Sequence, residues 1–274
     1  MKLIFLDIDG TLTYGGSDVP PASALEAIRK TQERGNLVFL CTGRNYFLVE
    51  PFLKYRFDGV VGSAGSYVRI GDEVLLDQPL EAGLVDTAVE ILHRSGVFCM
   101  LETQAANYSD VTIRNLVGKE TSGNSEMERF RAKLFARNFM VPMEKYDGRP
   151  VYKIVGMFTD LSQIEEAQRL LKGKFDFAVM GLRPGQTVRN MELINPVFNK
   201  GYAIRMLTAY YHVDMADTYG FGDSMNDLSM LQTVGTSVCM ENGDEKLKQC
   251  SDLIAPRADK DGLYSSFMEL GLFN

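Results

Sequence analysis

Leu3-Ile4-Phe5-Leu6-Asp7-Ile8-Asp9-Gly10-Thr11-Leu12 is the stretch whose reading decides the fold. Four apolar residues run without interruption and then meet an acid. A strand with one wet face would alternate, so this run predicts a strand buried on both faces, as in a parallel sheet. The two acids, spaced by two, point to the same side of an extended chain, and Gly10 lets the backbone turn. A carboxylate can act as a nucleophile. A neighbouring carboxyl can give a proton to a leaving group and later take one from water. Acid-glycine turns and calcium loops share the Asp-x-Asp-Gly pattern. The place of this one after a buried strand, with Thr11-Leu12 behind it, favours the catalytic reading.

Outward from that stretch the same grammar repeats. Pro20-Pro21 opens a helix with Leu25 and Ile28 on one face, and Gly35 stops it. Leu37 to Cys41 reads as a second buried strand ending at Thr42, and Gly59 to Gly62 as a third. The strand-helix alternation predicts an α/β fold, a Rossmann-like open parallel sheet with right-handed crossovers. The last third returns to it. A helix is expected from Lys200 to Tyr211, and strands over Tyr219 to Gly222, Thr236 to Met240 and Leu253 to Ala255.

The middle differs. Leu84 to His93 and Gly123 to Arg137 read as helices. Val97 to Glu102, Tyr152 to Phe158, Phe175 to Met180 and Thr187 to Ile194 read as strands. This block predicts an inserted α+β domain over 81–190, with 1–80 and 191–274 forming the core domain. Asp7, Thr42 and Asp223 each follow an expected core strand. Ligands of open α/β sheets bind outside the carboxyl ends of strands, so one shared site is expected there.

Three further motifs could serve that site. In Cys41-Thr42-Gly43-Arg44-Asn45, a hydroxyl and backbone amides at a strand end can hold phosphate oxygens. In Asn199-Lys200-Gly201, a lysine at a helix start can neutralise a carboxylate and a phosphate. In Gly222-Asp223-Ser224-Met225-Asn226-Asp227, acids spaced by four suit a hard cation bound through oxygen. A strand-ending threonine, a surface lysine or an acidic helix cap would each be unremarkable alone.

Together, in this order, the four motifs resemble the haloacid dehalogenase superfamily of phosphohydrolases, in its Cof-like branch with a large α/β cap. Glu192-Leu193-Ile194 and Met240-Glu241-Asn242 fit that branch too. Gly62-Ser63-Ala64-Gly65-Ser66 departs from it where an Asn-Gly pair is usual, and Asn242-Gly243 where Asn-Ala is usual. The resemblance implies a phosphatase with Asp7 as nucleophile and Asp9 as general acid and base. It implies Thr42 and Lys200 on the transferring phosphoryl group, with Gly43, Arg44 and Asn226 as further substrate contacts. It implies Mg2+ held by the Asp7 carboxylate, the Asp9 carbonyl and Asp223, with Asp227 supporting the metal or Lys200.

Composition bounds the alternatives. A net charge of −7 disfavours nucleic acid or an anionic membrane as partner, so an anionic metabolite must be met by a local positive site. No apolar run approaches a membrane span, and the N-terminal run is too short for a signal peptide, so a cytoplasmic chain is expected. Cys41, Cys99, Cys239 and Cys250 form no Cys-x-x-Cys pair and read as reduced thiols. His93 and His212 read as partly exposed helix residues, which leaves no histidine triad. A phosphomutase is the nearest rival. It would need a second phosphate site, for which Arg129, Arg131, Lys133, Arg137, Arg183 and Arg189 are candidates if they are not solvated surface charges. A phospho-accepting receiver domain would be about half this length. A regulator that only binds a phosphorylated metabolite would not need the catalytic set.

Overall fold

In the computed structural model, which describes residues 1–110, 112–113, 115–116, 125–133, 139–182 and 185–273, the run Leu3–Leu6 forms strand β1 with every residue buried. Its parallel neighbours are β2 (Leu37–Cys41) and β12 (Thr218–Gly222). Beyond β2 lie β3 (Gly59–Gly62), β4 (Tyr67–Ile70) and β5 (Glu73–Asp77). Beyond β12 lie β13 (Thr236–Met240) and β14 (Leu253–Ala255). The sheet order is β14-β13-β12-β1-β2-β3-β4-β5, parallel as far as β3. The antiparallel hairpin β4–β5 was not expected from sequence. It turns at Gly71, whose φ of 55° suits glycine.

The continuous apolar strands are explained by two covered faces. Ile4, Leu6, Val38, Leu40 and Phe221 pack on one side with helices Ala22–Glu33 and Gly262–Glu269. Leu3, Phe5, Phe39 and Cys41 pack on the other with helices Lys200–Tyr210 and Leu228–Leu231. Alternate residues of one strand therefore enter opposite cores.

The second unit has its own sheet. Its strands are β6 (Phe98–Glu102), β7 (Asn107–Ser109), β8 (Val141–Pro142), β9 (Lys153–Phe158), β10 (Asp176–Val179) and β11 (Arg189–Ile194). The order is β10-β11-β9-β6-β7-β8, antiparallel except for β7–β8. Helices Ala82–Arg94 and Ser162–Leu170 cover one face, burying Val85, Ile91, Leu92 and Ile164 against Leu101, Ile154 and Leu193. By strand alternation Glu102, Lys153 and Glu192 belong to the opposite face. All three are buried, and the Lys153 ammonium pairs with Glu192 and lies 3.2 Å from Glu102 Oε2.

The chain divides at Asp77/Gln78 and Val197/Phe198, and Asn45–Phe47 joins the second unit. The expected limits of 80/81 and 190/191 are shifted for a physical reason. The limit at 190 would cut β11, which hydrogen-bonds along its length to β9 and β10. Asn45 enters the second unit because its Nδ2 donates to Thr103 O and Asn107 Oδ1 at 2.6 and 2.7 Å.

Other expectations also change. Arg129, offered as a second phosphate contact or a solvated charge, is buried on helix Ser125–Lys133. Arg137 and Arg183 lie outside the described residues, as do both ends of the helix expected over Gly123 to Arg137. His212 lies past the end of its helix with a φ of 54°. His93 stays on its helix and pairs with Asp110 at 2.9 Å. All four cysteines are free thiols, three of them buried. No helix among the described residues is long and apolar enough to cross a membrane.

Candidate active site

The parallel register sets Leu6 beside Leu40 and Phe221, so β1, β2 and β12 end together. Asp7, Thr42 and Asp223 follow at that edge, because each sits one residue past its strand. Asp7 is tied to β12 by its backbone N–H, which donates to Phe221 O at 3.0 Å. Gly10 has a φ of 92°, and a Cβ there would lie 2.2 Å from Asp223 Oδ2. Only glycine lets the Asp223 carboxylate come so close to the loop after β1.

Lys200 reaches the same place from another direction. It is the first residue of helix Lys200–Tyr210, whose start is capped by Asn199 Oδ1 accepting from Tyr202 N at 3.0 Å. The helix start approaches the Ser63-Ala64-Gly65 turn, where a Cβ on Gly65 would lie 2.0 Å from the Asn199 carbonyl carbon. Ser63 and Ala64 carry φ values of 49° and 56° without being glycine. Each such residue stores about 1–3 kcal/mol and persists only where its surroundings hold it. Here Ser63 N donates to Arg44 O at 2.8 Å, and Ala64 N to Thr42 O at 3.0 Å. The stretch that departs from the resembled family is thus a brace for the Thr42 loop and the Lys200 helix.

The side chains converge. Lys200 is fully buried and donates to Asp7 Oδ1 at 2.8 Å and to Asp227 Oδ1. Asp227 Oδ2 accepts from the backbone N–H of Asp223 and of Ser224, both at 3.0 Å. Carboxylate oxygens of Asp7, Asp223 and Asp227 lie within 4.8 Å of one another. Asn242, read from sequence only as part of a pattern, donates from Nδ2 to Gly10 O at 2.9 Å and to Asp223 Oδ2 at 3.4 Å. Thr42 is buried, and its Oγ1 accepts from Arg44 N at 3.1 Å. Asn226 Oδ1 accepts from Ser224 Oγ at 2.8 Å.

Electrostatics follow from burial. Loss of water pushes the Asp7 carboxyl up to about 7. Lys200 opposes that rise, while Asp227 and Asp9 reinforce it. Burial works against the Lys200 ammonium, yet Asp227 and Asp7 hold it well above the usual lysine range. Of this pair Lys200 keeps its charge, because it faces two carboxylates and Asp7 faces one ammonium. Cys41, beside them, is pushed by burial up to about 12, so it stays a thiol and does not compete as a nucleophile.

Two of the expected site residues are held by protein partners. Arg44 was placed among the substrate contacts, but its buried guanidinium is engaged by carboxylates. Nε and Nη2 donate to Asp9 at 2.8 and 2.7 Å, and Nη1 donates to Asp18 Oδ1 at 2.6 Å. Asp18 carried no motif and was missed. Asp227, expected to support the metal or Lys200, accepts from Lys200 at Oδ1 and from two backbone amides at Oδ2, and its carboxylate stands close to those of Asp7 and Asp223.

The sequence matches the haloacid dehalogenase-like hydrolase family over residues 4–267. The chain belongs to that family. YkrA of Bacillus subtilis is 29% identical over 281 residues, covering 99% of this chain and 98% of YkrA. The 5-amino-6-(5-phospho-D-ribitylamino)uracil phosphatase YwtE of the same organism is 26% identical, covering 96% of each chain. Among solved structures, the sugar phosphatase BT4131 of subclass IIB superposes with a TM-score of 0.77 at 21% identity, covering 99% of this chain and 100% of that one. At that identity the likeness concerns the fold: a parallel core with an inserted α+β cap. This member of the haloacid dehalogenase-like hydrolases is a phosphatase.

Proposed function

We propose that the chain is a Mg2+-dependent phosphatase that hydrolyses a small phosphorylated metabolite, a sugar phosphate or phosphorylated cofactor, through an aspartyl phosphate on Asp7. One observation carries the reading. A buried carboxylate at the end of the central strand lies 2.8 Å from a buried lysine, with a second acid two residues on. In the first step an Asp7 oxygen attacks phosphorus in line, and the bond from phosphorus to the ester oxygen breaks. Asp9 gives its proton to that departing oxygen. In the second step Asp9 takes a proton from water as the water oxygen attacks phosphorus. Phosphate leaves and the Asp7 carboxylate is restored. Lys200, the Thr42 hydroxyl, Gly43 and Asn226 hold the phosphoryl oxygens. Positioning and charge neutralisation do most of the work in such a transfer.

The donor set fits a hard divalent ion. Asp7, Asp223 and Asp227 with Lys200 leave two negative charges at a site of oxygen ligands. Asp7 and Asp223, with the Asp9 carbonyl, would hold Mg2+. Once bound it would draw charge from the phosphoryl oxygens. The substrate class is supported by one relative, YwtE, which is a phosphatase of a phosphorylated ribityl compound.

The test is phosphate release from a panel of sugar phosphates, phosphorylated cofactors and simple esters, with Mg2+ or with chelator. Release should require the metal and fall by at least about 10³-fold in Asp7→Asn, the scale of losing a nucleophile. Release that survives the chelator, or survives Asp7→Asn, would remove this reading.

A further inference from the structure

Arg44 has no part in the steps above, yet it is one of the largest fully buried side chains of the molecule. Its fork meets the Asp9 carboxylate with two hydrogen bonds, Nε to Oδ2 at 2.8 Å and Nη2 to Oδ1 at 2.7 Å. The remaining nitrogen, Nη1, donates to Asp18 Oδ1 at 2.6 Å and to Leu48 O at 3.3 Å. The guanidinium carbon stands 5.1 Å from the centre of the buried Phe52 ring. Burial works against the charge, and Asp9 and Asp18 more than offset it. The guanidinium is therefore fixed on several sides by the protein itself. Asp9 sits on the loop after β1, and a bidentate fork fixes the plane of its carboxylate as well as its place.

We propose that Arg44 is a positioning residue for Asp9: it orients the carboxylate that serves the leaving-group oxygen, and Asp18 holds Arg44 in turn. The proposal rests on Asp9 acting as acid and base. Lysine would keep the charge but not the plane, because an ammonium is a point charge without a fork. Arg44→Lys should therefore injure proton delivery while leaving phosphate binding intact.

Leaving groups separate the possibilities. An alkyl phosphate expels an alkoxide that needs a proton, whereas 4-nitrophenyl phosphate expels a phenolate that needs none. With enzyme in excess, single-turnover release of alcohol and of nitrophenol reports the first step alone. Asp9→Asn should lose about 10²-fold or more on the alkyl ester, the scale of a general acid, and much less on the aryl ester. Arg44→Lys should show the same skew, with the half-saturating ester concentration unchanged. It should add nothing when combined with Asp9→Asn, since both act through one group. Asp18→Asn should show a weaker skew, about tenfold or less. If Arg44→Lys fails to fold by circular dichroism, Asp18→Asn carries the test.

Equal losses on both esters from Arg44→Lys or Asp18→Asn, beside a skewed loss from Asp9→Asn, overturn the positioning role alone. So does a raised half-saturating concentration in Arg44→Lys, which would mean that the guanidinium touches phosphate. An Asp9→Asn enzyme with no skew overturns the acid-base reading and this inference with it.

Discussion

Two lysines of this chain are buried between pairs of carboxylates, Lys200 in the core unit and Lys153 in the cap unit. They are held by different means. Lys200 starts a helix, and its partners Asp7 and Asp227 come from turns just past β1 and β12. The turn after β1 and the start of the Lys200 helix can come in because Gly10 and Gly65 leave room where a Cβ would collide with Asp223 and Asn199. Lys153 lies within a ladder. Glu102 stands directly opposite it in the β6–β9 register, and Glu192 reaches it diagonally from β11. In the core unit the charges meet at a sheet edge, alongside a hydroxyl, backbone amides and two more acids. In the cap unit they meet between paired strands, where the ladder already fixes every backbone group. The first arrangement can receive a phosphoryl group. The second ties together three neighbouring strands, β6, β9 and β11.

Replacing each lysine by methionine tests that contrast most severely. Lys200→Met should lower phosphate release by about 10²–10³-fold, the scale of removing one charge-stabilising donor. Lys153→Met should change release per folded molecule by less than about tenfold, yet cost about 3–5 kcal/mol by removing the ammonium between two buried carboxylates. Denaturant titration and phosphate assays on both variants decide it. A hundredfold loss of release in a stable Lys153→Met enzyme would erase the distinction.

Gly65→Ala should give a smaller effect and sharpen the account of the core unit. Its φ is 108° and its added Cβ would lie 2.0 Å from the Asn199 carbonyl carbon. A loss of about 1–3 kcal/mol in chemical denaturation is expected from the backbone strain, with further loss of release as Lys200 is displaced. Gly71→Ala, at the β4–β5 turn where a Cβ meets open space, should cost less and spare activity.

The smallest effect should come from Glu102→Gln. Burial raises the Glu102 carboxyl, against the pull of Lys153 and Arg129. The folded state thus holds its proton in a pH range where the unfolded chain has released it. That contribution to stability is complete below the ordinary glutamate value and is lost as pH rises through the folded one. Glu102→Gln removes the loss, so its melting temperature should exceed that of the native chain at about pH 7 and equal it at about pH 4. A gain of the same size at both pH values would show that the carboxylate is not the cause.

Some of this was legible early. β1 and β2 are apolar runs, because strands covered on both faces need apolar residues at nearly every position. The β4–β5 hairpin was not, since Tyr67–Ile70 is half polar and its outer partner β5 is largely exposed. The acids that share the site announced themselves by spacing along one chain segment. Arg129 read as one more charge on a polar helix, because its burial depends on residues distant in sequence.

The sequence by itself determined the family, the parallel core and the order of the chemistry-bearing motifs, because each is written in a few adjacent residues. What only the tertiary structure decided is how those residues are divided among tasks. Arg44 turned out to face Asp9, 35 residues away, and Asp18, 26 away. Asp227 turned out to spend both oxygens on Lys200 and two backbone amides. A hydrogen bond is made to whatever group the fold brings within about 3 Å, and that choice is settled only when distant segments pack.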